Sequence, residues 1–262
     1  MDPSSASTTA PTAHKAKKTL RLITALLAKA ENTPFPAEAQ AFQEHAERLM
    51  VRYGIEQAMI DAEAGKAGKP QEPMIEERFE LTGAYRVGQA RGFTAIALAF
   101  STVRVLHATG SSKKILYLIG ADSDVGQIVR LFNSLQVQLA AAMQTWWLNY
   151  PYKPYLSTHE KTLERRQFQL GFLTTVADRI EALYNLESVQ GASGNELVLT
   201  GRRERADDHV RLLHPALRNA RPQTISQGSS TAHAAGSYAG TQATVNSEVQ
   251  VAARPALPGW QQ

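Results

Sequence analysis

The sequence predicts an α+β protein with an N-terminal helical hairpin and a mixed domain that combines a small antiparallel sheet with long helices. Two observations carry this prediction. Apolar residues recur at helical spacing over several long segments, and in the middle of the chain they alternate with polar residues as in half-buried strands. With 262 residues, 43% of them hydrophobic and 20% charged, the chain is long enough for one large domain or two ordinary ones.

The N-terminal part of the chain predicts two helices that pack against each other. Residues 1–15 have little to bury, so we expect them to be disordered. Residues 16–63 are predicted to form the helical hairpin. Its second helix begins at Pro36, where a missing amide hydrogen does no harm, and Gly54 is expected to stop it, with a short continuation beyond.

Residues 64–74 are predicted to be a linker, and residues 75–218 to form the α+β domain. The predicted elements of this domain are strands at 75–81, 103–107 and 115–119, a helix at 89–100, a long helix that Asp122 or Ser123 caps, a long helix at about 158–185, a short strand at Glu196–Thr200 and a helix at 203–213. With that last strand the order becomes βαββαβ, a ferredoxin-like arrangement. Residues 219–262 form a low-complexity tail that we expect to be mostly disordered, with a weak helix at Ala234–Val249.

The formal net charge of +4 hides a segregated distribution. Residues 1–30 carry five basic residues and one acidic residue, residues 31–80 carry eleven acidic and five basic, and residues 81–155 carry seven basic and two acidic. The rest of the chain is nearly neutral. Such a layout can steer an anion to one side of a molecule, but solvated helix faces also alternate in charge without a functional reason.

Several classes of site are excluded by residues that the sequence lacks. Without cysteine there is no disulfide, thiolate nucleophile or cysteine-ligated metal. Neither the glycine-rich phosphate loops nor the Gly-x-Ser-x-Gly elbow of serine hydrolases occurs. His159 and Glu160 begin like a zinc-protease motif, but Leu163 stands where the second histidine is required. We therefore expect no metal and no cofactor.

The sequence also predicts a cytoplasmic protein without a membrane partner. No apolar run approaches the roughly eighteen residues of a membrane span. The apolar segment Leu20–Leu27 is too short for a secretory signal and is followed by charged residues.

Two features favour nucleic acid as a partner. Basic residues occur on the N-terminal helix and on the predicted hairpin, and an aromatic run surrounds a lysine between two predicted helices. Cations bind phosphates and aromatic rings stack on bases. The candidate nucleic-acid-binding residues are Lys15, Lys17, Lys18, Arg104, Lys113, Lys114, Trp146, Trp147 and Lys153. Tryptophans at the end of a long helix are also typical of a packed core.

These features together predict a non-catalytic binding or accessory protein, and two alternatives stay open. A hydrolase without a recognisable motif would need carboxylates such as Asp178 and Glu181, although a solvated pair on one helix face is the simpler interpretation. A structural protein would dock into an assembly, or bind a protein partner, through the tail at 219–262. The sequence does not fix the oligomeric state.

Several segments resemble a known family. The stretches LLAKAE (26–31), FPAEAQAF (35–42) and LMVRYGI (49–55) are similar to the N-terminal signature of a family of bacterial and phage proteins known only as a domain of unknown function. Segments within 165–180 and 197–203, together with Ser237–Gly240, resemble the companion C-terminal domain of those proteins. The resemblance implies a two-part layout and a bacterial or phage origin, and it implies no activity, substrate or catalytic residue.

Overall fold

Seven α-helices and one three-stranded antiparallel sheet make up the residues that the computed structural model describes, which are 9–110, 112–190, 194–217 and 230–245. The elements in chain order are α1 (Thr9–Asn32), α2 (Pro36–Lys66), β1 (Met74–Thr82), α3 (Arg86–Ala99), β2 (Arg104–Thr109), β3 (Lys113–Ala121), α4 (Asp122–Leu148), a short 3-10 helix (Lys153–Tyr155), α5 (Thr158–Gln190), α6 (Asn195–Leu213) and α7 (Ser230–Thr241). The predicted α+β class is confirmed. Within the described residues, no helix combines the length and the hydrophobicity that a membrane span requires.

Helices α1 and α2 form the predicted hairpin around a small apolar cluster. Ile23, Leu26 and Leu27 of α1 are buried against Ala46 and Met50 of α2. Helix α1 begins at Thr9, so the expectation of disorder is wrong for residues 9–15, whereas residues 1–8 lie outside the described part of the chain.

Helix α2 continues through Gly54, which was expected to stop it. A Cβ atom at Gly54 would lie 3.2 Å from the hydroxyl of Tyr184, so this glycine allows α2 to pack closely on α5. Beyond Gly54, Ile55 and Ala58 belong to the core of the α+β domain. The two parts of the molecule therefore share one continuous helix.

The sheet has the strand order β1-β3-β2, with both outer strands antiparallel to β3. Helix α3 connects the two outer strands, so β3 inserts between them as in a split βαβ unit. The expected fourth strand at Glu196–Thr200 is wrong, because these residues form the start of α6. The apolar run there suits a strand or a helix, and the helix is favoured by buried residues at helical spacing, which are Asn195, Leu199, Arg202, Ala206 and Val210.

The main core lies between one face of the sheet and helices α3, α4 and α5. Phe79 of β1, Phe93 of α3 and Phe132 of α4 pack against one another, with ring centroids 4.7 to 5.6 Å apart. Arg104 and Phe79 pair with Ile119 and Leu116 of β3, residues of opposite parity, so they point to opposite faces of the sheet. Helix α6 contacts Arg104 and therefore covers the other face.

Helix α7 lies on α5 at backbone distance. A Cβ atom at Gly236 would stand 1.9 Å from the carbonyl oxygen of Phe168, and one at Gly171 would stand 2.1 Å from that of His233. The absence of side chains at these positions is what permits the contact. The expectation that the tail is mostly disordered is thus wrong for residues 230–245, while 218–229 and 246–262 lie outside the described residues.

Candidate nucleic-acid interface

Residues 146–155, which comprise the end of α4 and the first residues after it, are called the aromatic turn below. Helix α4 ends at Leu148, since Pro151 and Pro154 follow and cannot continue it. A capping box then starts α5: the Ser157 amide donates to Glu160 Oε2 at 2.8 Å, and the Glu160 amide donates to Ser157 Oγ at 3.3 Å. The aromatic turn is therefore fixed at both ends.

The inner rings of the aromatic turn are stacked into the protein. Trp146 stacks on Phe168 of α5 with centroids 4.7 Å apart and an interplanar angle of 21°. Trp147, only 9% exposed, stacks on Tyr150 at 5.5 Å and 21°. The Tyr150 hydroxyl donates to Glu164 Oε2 at 3.0 Å. These two tryptophans thus pack the base of the turn.

The outer rings of the same turn face solvent. Tyr152 is 60% exposed and Tyr155 is 85% exposed. Tyr152 meets Tyr150 edge-on at a centroid distance of 5.8 Å, so it is supported from below by the packed rings. The turn therefore holds flat aromatic surfaces in water on a rigid base, an arrangement that can stack on a planar ligand.

Two cations lie beside the inner ring of Trp147. The Arg165 guanidinium is 4.2 Å from the centroid of Trp147, and Lys153 Nζ is 6.0 Å from it. The neighbouring carboxylates already accept hydrogen bonds: Glu164 accepts one from Tyr150, and Glu160 accepts one from the Ser157 amide. Hydrogen bonds from Ser157 also lower the pKa of Glu160. The local arrangement combines stacking surfaces with positive charge.

Two basic residues of the β2–β3 hairpin form ion pairs with other parts of the chain, and a third is buried. Arg104 forms a two-pronged ion pair with Asp207 of α6, and its NH2 atom lies 2.6 Å from Asp207 Oδ2. The hydrogen bonds of this pair raise the pKa of Arg104 and lower that of Asp207. Lys113 Nζ lies 3.1 Å from Glu80 Oε1, and Lys114 is 9% exposed. These cations are less available to phosphates than the sequence suggests.

The nine predicted residues therefore lie in three places. Lys15, Lys17 and Lys18 belong to α1, which packs on α2; Lys18 is exposed, and the side chains of the other two are outside the described ones. Arg104, Lys113 and Lys114 lie in the hairpin, and Trp146, Trp147 and Lys153 in the aromatic turn. The turn is where rings and cations occur side by side.

The sequence did not reveal a buried ionic network around Arg202 and Arg205, which lie in the middle of α6. The side chain of Arg202 is 2% exposed and contacts Glu72, Ser123 Oγ at 2.9 Å and Asp124 Oδ2 at 3.1 Å. Arg205 pairs with Asp61 of α2 and donates to the Glu72 carbonyl oxygen at 2.6 Å. Asp124, near the start of α4, is buried against Arg202.

This network joins α2, α4, α6 and the segment before β1. Burial raises the pKa of Asp124 despite the nearby guanidinium of Arg202. A cleft of about 330 Å³ opens beside the network and is lined by Asp61, Lys66, Gln71, Arg202 and Arg205 among others. Because both guanidinium groups are already paired with carboxylates, the arrangement acts as a cross-link between elements.

The carboxylates considered for a hydrolase, unlike those of the ionic network, are exposed and lie outside any pocket described here. Asp178 and Glu181 of α5 are exposed and line neither this cleft nor the groove beside Trp146 described below. Among the described residues, no group of three or more His, Asp or Glu side chains is arranged to hold a metal ion.

Fold and site together define an α+β protein with a split βαβ sheet and an exposed, positively charged aromatic turn. Residues 18–57 match the model of a family described as a protein of unknown function, DUF2786. This match covers most of the α1–α2 hairpin and confirms the N-terminal resemblance. Searches of curated proteins and of solved structures found no significant match.

Proposed function

We propose that this protein is a non-catalytic binding protein that binds nucleic acid through the aromatic turn and the cations of α5. The observation that carries the proposal is the exposure of Tyr152 and Tyr155, 60% and 85%, on a turn whose Trp147 ring lies beside Lys153 and Arg165. A base stacked on an exposed ring gains about 1–3 kcal/mol, and a phosphate gains from each cation that it meets.

The remaining candidate cations have a smaller role in this proposal. Arg104 and Lys113 would have to leave Asp207 and Glu80 before binding a phosphate. Lys18 is exposed on α1 and can extend a positively charged surface without breaking a contact that the structure shows. The proposed order of importance is therefore the aromatic turn first, α1 second and the hairpin last.

We further propose a bacterial or phage protein that acts in the cytoplasm, with a C-terminal part related to the companion domain of its family. The N-terminal family match supports this setting. The alternative of a protein partner docked through the tail at 219–262 would use the parts of the tail outside residues 230–245, because α7 and Ala243 already contact α5.

The proposal is tested by fluorescence anisotropy of a labelled mixed-sequence oligonucleotide, titrated at several salt concentrations. We expect binding at low ionic strength that weakens as salt rises, because cations on the protein replace condensed counterions. Lys153→Glu should weaken binding severalfold. Lys69→Glu, which changes the net charge equally in the turn after α2, is the matched control and should bind as the wild type.

Two outcomes contradict the proposal. One is the absence of salt-dependent binding at low ionic strength. The other is an equal loss of affinity in the Lys153 and Lys69 variants, which would mean that the response reflects net charge and not a site.

A further inference from the structure

A groove of about 450 Å³ lies next to the aromatic turn, between α4, α5 and α7. Trp146 of α4, Phe168 and Phe172 of α5, and Tyr238 of α7 line it. Trp146 also contacts Trp147 and Tyr150, so the groove and the aromatic turn share this side chain and are continuous.

The groove exists because of how α7 is attached. The glycines at 171, 236 and 240 bring α7 onto α5, and α7 does not close the space toward α4. Tyr238 of α7 also lines the groove, and it is 72% exposed although α7 packs on α5. A large ring that stays in solvent at the edge of an apolar groove is available to a ligand.

The chemistry of the groove fits a flat and uncharged group. None of its lining residues is acidic or basic, and two of them, Thr145 and Gln242, offer a hydroxyl and an amide at the groove. Arg179 of α5 donates to the backbone carbonyl oxygen of Ala243 at 2.8 Å and is paired with Glu47. Lys153 of the turn and Arg165 of α5 lie beside Trp147, which does not line the groove. A nucleotide with its base in the groove and its phosphate at the turn would match both surfaces.

We infer that the ligand of this site is single-stranded nucleic acid, and that an unpaired base enters the groove against Trp146 and Tyr238. The inference rests on the proposed function and specifies its ligand. A duplex keeps its bases stacked inside and presents phosphates outside, so it could fill the groove only after a base is flipped out. A single strand offers its bases without that cost and follows a path of aromatic platforms.

The test compares a single-stranded oligonucleotide with the duplex of the same sequence by anisotropy, using the full-length wild type, Tyr238→Ala and Tyr238→Phe. We expect the wild type to prefer the single strand by at least tenfold. Tyr238→Ala should lower single-strand affinity by about fivefold to a hundredfold, the equivalent of one lost stacking contact. Tyr238→Phe keeps the ring and should bind as the wild type, and circular dichroism checks that each variant is folded.

The outcomes separate this inference from the proposed function. If Lys153→Glu weakens binding but Tyr238→Ala does not, the nucleic-acid site stands and the groove has another occupant, such as a protein partner or the chain's own residues 246–262. Equal affinity for duplex and single strand would also overturn the inference. If no oligonucleotide binds at all, the proposed function fails and this inference with it.

Discussion

Helices α6 and α7 are attached to the rest of the protein by opposite means. Helix α6 is held by long charged side chains, of which Arg202 and Arg205 reach carboxylates on other elements. Helix α7 is held by direct backbone contact at Gly236 and Gly240. Arginine side chains can bridge a gap, so a cleft remains between α6 and α2, whereas the glycines leave no gap between α7 and α5. Ion pairs therefore connect α6 to its neighbours across a cleft, whereas glycines allow α7 to pack on α5 at backbone distance.

The sharpest way to break the α6 attachment is Arg202→Met. We expect the free energy of unfolding to fall by about 3–5 kcal/mol, because the largely buried carboxylates of Glu72 and Asp124 lose their counter-charge. Urea denaturation measures the change. Arg211→Met, which removes an exposed ion pair with Asp208 on the same helix, is the control and should have no measurable effect. Equal losses in the two variants would mean that burial of the network contributes nothing.

The α7 attachment is broken by adding a single methyl group. Gly236→Ala places a Cβ atom 1.9 Å from the Phe168 carbonyl oxygen, so α7 has to shift or detach, at a cost of about 1–3 kcal/mol. Hydrogen exchange should accelerate in residues 230–245 and stay slow in the sheet. The matched control is Gly201→Ala on α6, where nothing lies within 4 Å of the new atom and better helix propensity should stabilise the protein by up to about 1 kcal/mol. Unchanged exchange in α7 would show that the contact is not tight.

The smallest expected effect is a difference in the pH dependence of stability between the pairs Arg104–Asp207 and Arg202–Asp124, each of which has one partner on α6. Hydrogen bonds from Arg104 lower the pKa of Asp207 below its usual value of 3.8. The ionised Asp207 therefore stabilises the folded protein above pH 3.8, and this stabilisation is lost as the pH falls through the folded-state pKa. The pKa of Asp124 is raised from 3.8 by burial, so between 3.8 and its folded-state pKa the native state gains stability as pH falls. Carbon-13 NMR titration of the carboxyl groups, assigned with Asp124→Asn and Asp207→Asn, should give midpoints on opposite sides of 3.8. Midpoints on the same side of 3.8 would remove this distinction between a buried pair and a partly exposed pair.

The fold class and most helices follow from local periodicity, which the sequence carries directly. Two of the errors come from short-range ambiguity: Leu197–Leu199 suits a strand as well as a helix, and Gly54 suits a helix end as well as a close helix contact. At both positions, the correct alternative depends on contacts with residues distant in the chain, such as the contact of Gly54 with Tyr184. No local pattern contains that information.

The candidate site was predictable in part. The aromatic run and Lys153 are visible in the sequence, but the division of its rings into packed and exposed ones is a tertiary property. The same holds for the hairpin cations, whose partners Asp207 and Glu80 lie on other elements. The Ala and Gly of the tail suggested disorder because they bury little surface, yet the missing side chains are the reason that α7 can dock.

The continuity of α2 sets a limit on where this chain can be divided. The family match ends at Gln57, but α2 runs on to Lys66, and Ile55 and Ala58 lie in the core of the α+β domain. A fragment cut at the end of the match would expose Ile55 to water and remove Asp61, the partner of Arg205. The segment that sequence similarity identifies therefore ends inside a helix whose later residues belong to the core of the α+β domain.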